Sequence, residues 1–174
     1  ANQGVYTEPI LYTKILDHDG NVLLEREPET HTVLKESTAY LLTSAMEDVI
    51  KSGTGVAANF SGMSIAGKTG TTNESRSSWF AGYSPYYTCV IWGGNDDNSP
   101  LSSTRFTRVI WKNIMQQIHQ GKTDPGFQAP EDIVKEKVCD VSGQLPVKGI
   151  CKNTHTEYFA KGTEPDQQCQ LHVE

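Results

Sequence analysis

Apolar residues recur along this chain in two periods. Between Ser37 and Ser52, Leu41, Leu42, Ala45, Met46, Val49 and Ile50 fall at helical spacing and predict a helix with that stripe in the core. Ser37 is its candidate N-cap and Gly53 its candidate C′ residue. A second helix is predicted from about Ser103 to Gln120, with Phe106, Val109, Ile110, Ile114 and Ile118 on one face and Gly121 at its end. Elsewhere the pattern is that of strands. Ile10 to Leu16 and Asn21 to Glu25 flank Asp17-His18-Asp19-Gly20, a turn ending in Asp-Gly, and predict a hairpin. Met63-Ser64-Ile65-Ala66 leads a strand into Lys68, and Trp79 to Tyr83 and Tyr87 to Trp92 supply two more around Ser84-Pro85-Tyr86. Aromatic and β-branched enrichment bounded by Gly, Pro and Ser marks these strands.

The expected product is an antiparallel three-strand unit with Lys68 on its first strand. Side chains alternate along a strand, so Lys68 and Gly70 should point one way and Thr69 and Thr71 the other. Gly70 also lets a substrate or a second backbone approach closely.

The same segment, Gly62-Met63-Ser64-Ile65-Ala66-Gly67-Lys68-Thr69, matches the phosphate-loop pattern G-x-x-x-x-G-K-[ST], which defines a nucleotide-binding alternative. Such a loop needs a buried strand before the glycines and a helix after the Lys-Thr pair. Upstream, Lys51 to Ser61 lacks a β-branched run; downstream, Gly70 to Ser78 has poor helix propensity. Both flanks speak against nucleotide binding. Read forward, Lys68-Thr69-Gly70 is instead the Lys-Thr-Gly strand motif of enzymes that acylate a serine.

Composition narrows the setting. The 174 residues suffice for one domain with a core, while 36% hydrophobic residues is low for a self-sufficient α/β domain and suggests a surface that packs on further polypeptide. A net charge of -6 with no basic cluster argues against nucleic acid or an anionic membrane as partner. No stretch reaches the apolar length of a membrane span.

The ordered set Ala1-Asn2-Gln3-Gly4-Val5-Tyr6, Gly53-Thr54-Gly55, Gly67-Lys68-Thr69-Gly70-Thr71-Thr72, Trp79-Phe80-Ala81-Gly82-Tyr83-Ser84-Pro85 and Trp92-Gly93-Gly94-Asn95-Asp96 resembles the later part of a penicillin-binding protein transpeptidase domain of the class A, bifunctional type. The tail Tyr158 to Pro165 resembles segments beyond that core. The resemblance implies an α/β (α+β) fold: an antiparallel sheet with packed helices, the later part of a serine β-lactamase/transpeptidase-like fold. It implies residues 1–121 as the C-terminal part of the transpeptidase domain, and 122–174 as a linker and a loop-rich, cysteine-containing extension.

By the same resemblance, Lys68, Thr69, Gly70 and Thr71 bind substrate, with Lys68 and Thr71 also catalytic. The Lys68 ammonium and the Thr69 and Thr71 hydroxyls would hold the terminal carboxylate of a D-alanyl-D-alanine stem peptide or of a β-lactam. The Thr71 backbone N–H would form half of an oxyanion hole. The family's other elements, Ser-x-x-Lys and Ser-x-Asn, have no match: no lysine follows a serine by three positions, and no serine precedes Asn or Asp by two. The expectation is therefore the substrate-binding half of a peptidoglycan D,D-transpeptidase, inactive alone, which works with an upstream half of the same protein. An upstream glycosyltransferase domain, an upstream anchor and a place on the extracytoplasmic face of the bacterial membrane complete the implied setting. A non-catalytic wall or partner-binding module, with the tail as its working surface, is a further alternative. No cofactor and no metal are expected.

The tail carries Cys139, Cys151 and Cys169, while Cys89 lies among apolar strand residues and reads as a buried thiol. Three thiols permit one disulfide with one left over, and an extracytoplasmic setting would allow that staple. The alternative is a zinc site from Cys139, Cys151 and the pair Cys169 and His172, although the outer spacings fit no compact finger. His155 and His172 otherwise read as surface residues.

Overall fold

The computed structural model describes residues 1–172. Four short strands come first: β1 (Val5–Thr7), β2 (Lys14–Leu16), β3 (Val22–Glu25) and β4 (Thr30–Thr32). Helix α1 (Glu36–Lys51) follows, then β5 (Ala66–Thr71), β6 (Ser77–Tyr83), β7 (Thr88–Gly94), α2 (Phe106–Ile118), β8 (Ile133–Cys139) and β9 (Thr154–Ala160). The named strands pair antiparallel throughout, as β1 with β4, β2 with β3, β5-β6-β7 in that order, and β8 with β9. This is the expected mixture of helices with antiparallel sheet. No helix among the described residues is long and apolar enough to cross a membrane.

The predicted hairpin is β2–β3. One Asp17 carboxylate oxygen accepts the N–H groups of Asp19 and Asn21, each at 2.9 Å, and Gly20 takes φ 87°, which a side chain would resist. Its apolar residues are nevertheless exposed, Leu23 at 61% and Leu24 at 54%.

The core forms where α1, α2 and the three-stranded sheet meet. Ile50, Phe60, Met63, Ile65, Phe80, Trp111 and Met115 are buried together. Phe80 meets Trp111 edge to face at 5.1 Å, and the Trp111 indole N–H donates to the Cys89 carbonyl at 2.9 Å, so the ring's one polar atom is satisfied. Cys89 itself is only partly buried, and that burial raises its thiol pKa.

Helix α2 buries a different stripe from the one its periodicity suggests, and α1 buries only part of the expected one. On α2 the inward residues are Thr107, Trp111 and Met115, continued by His119, while Ile110, Ile114 and Ile118 stand about 40% exposed. Two stripes one residue apart share the same four-residue spacing, and the sheet received the one carrying the large indole. On α1, Ile50 is buried and Leu41, Met46 and Val49 are half-buried as expected, whereas Leu42 and Ala45 are exposed and Thr43 and Ser44 are buried in their place. Thr43 reaches that position because its hydroxyl bonds the Tyr83 hydroxyl at 2.7 Å. Ser37 is buried inside the first turn rather than capping it; Lys35 holds the cap position without a side-chain bond. Gly53 does close the helix, its N–H donating to the carbonyls of Asp48 and Val49, and a Cβ there would lie 2.8 Å from Val49 Cα.

Candidate active site

β5 is an edge strand, and the register fixes which way its side chains face. Lys68 lies opposite Ala81, which lies opposite Val90; Gly70 lies opposite Trp79, which lies opposite Trp92. These residues share one face of the sheet, and α2 covers the other, where Thr69 pairs with Phe80 and Thr71 with Ser78. The alternation expected from the sequence is therefore present. Lys68, Trp79, Val90 and Trp92 are all exposed, so this face is open around them, while at its far end Ala66 and Tyr83 are buried, Tyr83 against Thr43 and Phe127.

Each group on the strand has a definite partner or none. The Lys68 ammonium donates to the Thr69 carbonyl at 3.1 Å, which draws it toward the strand's outer rim. The Thr69 hydroxyl bonds the Thr54 hydroxyl at 2.8 Å, and Arg108 of α2 donates to the Thr54 carbonyl at 2.6 Å. The Gly53-Thr54-Gly55 turn thus ties the end of α1, α2 and β5 together. Thr71 is exposed. Beyond it, Thr72 accepts the Ser77 N–H at 2.8 Å, and Glu74 and Ser75 adopt φ 57° and 55° in a tight link to β6. Arg76 secures that link through Glu74 and the Asn98 carbonyl.

The phosphate-loop alternative fails on this geometry. Lys68 and Thr69 sit inside a strand laddered to β6, and only the single turn Asn73–Ser75, irregular at Glu74, comes after. Among the described residues no α-helix follows the Lys-Thr pair until α2 at Phe106. The described hollows also lie elsewhere: one of about 290 Å³ is lined by Gln3, Tyr40 and Phe127, another of about 620 Å³ by Met63, Asn113 and Gln117.

Two features escaped the sequence reading. His119 is buried, with Nδ1 2.7 Å from the Met115 carbonyl and Nε2 2.7 Å from the Ser84 hydroxyl. A carbonyl only accepts, so Nδ1 carries the proton and Nε2 accepts from Ser84, fixing the β6–β7 turn to the end of α2. Second, the tail is docked by an ordered hairpin. Tyr158 of β9 meets Tyr40 of α1 edge to face at 5.3 Å, Phe127 meets Tyr83 at 5.6 Å, and Asp124 accepts the Ser64 hydroxyl at 2.8 Å. Cys139, Cys151 and Cys169 are free thiols, so the expected disulfide is not formed, and His172 lies among them rather than on open surface.

The family model "Penicillin binding protein transpeptidase domain" matches residues 1–123, and "Penicillin-binding protein 1A, C-terminal domain" matches residues 129–174. The chain is 35% identical over 182 residues to a penicillin-binding protein 1A of Clostridium botulinum (strain Langeland), covering 100% of this chain and 22% of that relative. It is 31% identical over 190 residues to penicillin-binding protein 1A/1B of Bacillus subtilis (strain 168), covering 95% of this chain and 20% of the relative. The crystal structure of penicillin-binding protein 1A from Haemophilus influenzae superposes with a TM-score of 0.83 at 23% identity, over 95% of this chain and 31% of that one, a likeness of fold. The chain thus spans about a fifth of the length of the curated relatives it matches.

Proposed function

Since this chain belongs to the penicillin-binding protein transpeptidase family, in its class A branch, we propose that β5 is the substrate-holding edge of a peptidoglycan D,D-transpeptidase. The observation that carries this reading is the display of Lys68-Thr69-Gly70-Thr71 on the outer strand of the sheet, with Lys68 unburied and unpaired by any carboxylate among the described residues. An exposed ammonium drawn to the outer rim of a rigid strand, flanked from the strand's other face by two hydroxyls, is suited to orient an anionic peptide end at that rim, and orientation is a large part of catalysis.

In this reading a serine from upstream sequence attacks the carbonyl between the two D-alanines of a stem peptide. The bond to the terminal D-alanine breaks, that residue leaves as the free amino acid, and an amine of a neighbouring strand then takes the acyl group from the serine. Lys68, Thr69 and Thr71 hold the substrate carboxylate. The Thr71 N–H donates to the oxyanion, a contribution that grows as charge develops. A β-lactam enters by the same carboxylate and stops at the acyl-enzyme. The Thr54–Thr69 bond fixes one hydroxyl for this task.

The chain alone lacks the nucleophile and should be inert toward β-lactams. We assign residues 1–121 to the transpeptidase domain and 122–174 to a C-terminal extension, a division supported by the two matched ranges. The whole protein then acts on the extracytoplasmic face of the membrane, anchored and joined to a glycosyltransferase domain upstream. The test joins this chain to its native upstream sequence and follows covalent labelling by a fluorescent penicillin. Loss of one charge-assisted hydrogen bond, about 1.5–3 kcal/mol, should slow labelling by Lys68→Ala roughly tenfold to hundredfold. Labelling at the wild-type rate would remove Lys68 from the site.

A further inference from the structure

The tail hairpin brings four metal-ligand side chains from three separate stretches to one point. Cys139 ends β8, Cys151 precedes β9, and Cys169 and His172 follow it. One ligand atom from each lies within 4.8 Å of all the others. His172 Nδ1 is 3.6 Å from Cys139 Sγ, 3.4 Å from Cys151 Sγ and 3.3 Å from Cys169 Sγ.

Hydrogen bonding does not account for that arrangement. A ring nitrogen carries at most one proton, or one lone pair, in the ring plane, and it cannot serve three sulfurs in three directions. A cation at the centre can. Metal–sulfur bonds of about 2.3 Å and metal–nitrogen bonds of about 2.0–2.1 Å at tetrahedral angles set sulfur and nitrogen about 3.6 Å apart, close to all three separations here. A disulfide is the poorer fit, since it would join two sulfurs at about 2.05 Å and strand the third thiol and the imidazole.

The surrounding backbone is organised around the same point. The Val147 N–H donates to Cys151 Sγ at 3.3 Å, and Cys151 N–H returns to the Val147 carbonyl at 3.0 Å. The Cys169 N–H donates to the Leu145 carbonyl at 2.8 Å, and Cys139 exchanges bonds with Gln144 and Gly143. Such outer contacts orient ligands and fix their loops. Cys139 and Cys169 are buried, and Val138 is the only other buried hydrophobic of the described tail. So small an apolar core does not hold a unit of this size by itself.

We propose that Cys139, Cys151, Cys169 and His172 bind one zinc ion in a closed, tetrahedral site of three thiolates and one imidazole that staples the C-terminal extension. This is a soft donor set that selects zinc over oxygen-loving cations. With four protein ligands no coordination position remains for water, so the site is structural rather than hydrolytic. Binding turns three thiols into thiolates and releases their protons, while the imidazole binds neutral. The inference is independent of the transpeptidase reading: it concerns ligands on another element and has its own readout.

The test measures metal content of the purified full chain, after exposure to excess zinc and desalting through a weak chelator. About one zinc per chain is expected. Cobalt(II) replacing it should show the thiolate charge-transfer and visible bands of a tetrahedral centre. Cys169→Ser and His172→Ala should each lose bound metal, His172→Cys should keep it with the spectrum of an all-thiolate centre, and His155→Asn, outside the cluster, should keep it unchanged. Should a ligand variant fail to fold, the wild-type stoichiometry and the cobalt spectrum still decide. Wild-type chain with no metal, or with the two-proton mass loss of a disulfide among these cysteines, overturns the proposal. Full zinc content in His172→Ala removes the fourth ligand and with it the closed site.

Discussion

Gly67 stands opposite Gly82 in the β5–β6 ladder, one residue before the exposed lysine, and replacing it by alanine tests how tightly that lysine is positioned. A Cβ at Gly67 would lie 2.8 Å from Phe80 Cζ, 2.9 Å from the Ala81 carbonyl oxygen and 3.0 Å from Gly82 Cα. Ordinary carbon contacts begin near 3.5 Å, so the methyl intrudes by about half an ångström on three sides. The phenyl ring is the one neighbour with a torsion to turn, and it is clamped against Trp111. The two backbone atoms yield only if β5 moves away from β6. Overpacking of this kind costs about 1–3 kcal/mol, and two backbone clashes put the cost toward 3. With a urea slope of about 2–3 kcal/mol per molar, the unfolding midpoint of Gly67→Ala should fall by roughly 1 M. Phe80→Leu in that background should couple favourably in a double-mutant cycle, without abolishing the loss, because it relieves one clash of three. A Gly67→Ala midpoint within about 0.2 M of wild type would refute the reasoning. Complete rescue by Phe80→Leu would refute the backbone part of it.

Two further outcomes follow from the same packing. Trp111→Phe removes the donor to the Cys89 carbonyl and leaves a void beside Phe80, and the two losses together should destabilise the chain by about 2–4 kcal/mol by denaturant unfolding; a loss under about 1 kcal/mol would show that the site collapses. Burial holds the Glu47 carboxyl above its ordinary value, Lys51 at 3.6 Å only partly opposing it. The protonated form is therefore the better folded one, and its contribution is complete below the unfolded carboxyl value and lost as pH rises through the higher folded value. Glu47→Gln should then stabilise the chain at neutral pH and give no gain in acid, which unfolding at the two pH values checks; an equal gain at both would assign the effect to packing.

The parts that sequence made legible are those where local chemistry leaves one choice. Trp79-Phe80 and Val90-Ile91-Trp92 are too aromatic and β-branched to be anything but strands, and Lys68 inherits its place from them. Asp17 and Gly20 specify their turn outright. Faces were harder: Ile110, Ile114 and Ile118 share their spacing with Thr107, Trp111 and Met115, and only the sheet decides between them. β8 and β9 were hidden because Lys135, Glu136 and Lys137 pair with Tyr158, Glu157 and Thr156, polar residues on a solvated ribbon. The expectation of a disulfide rested on counting thiols. What counting cannot supply is the turn from Cys139 to Gln144 and the Leu145 to Gln168 bridge, which carry three distant stretches to a common centre.

The chain's three tryptophans give it optical reporters for two different events. Trp79 and Trp92 sit 6.0 Å apart on the open face, 44% and 55% exposed, while Trp111 has no exposure. Indole emission shifts to the red in water, so the pair should emit as wetted chromophores and the third as a dry one. Polypeptide settling on the open face would blue-shift the first population and leave the second unmoved. Unfolding would red-shift the second most strongly, so one spectrum can tell a molecule with polypeptide docked on that face from one that has lost its core.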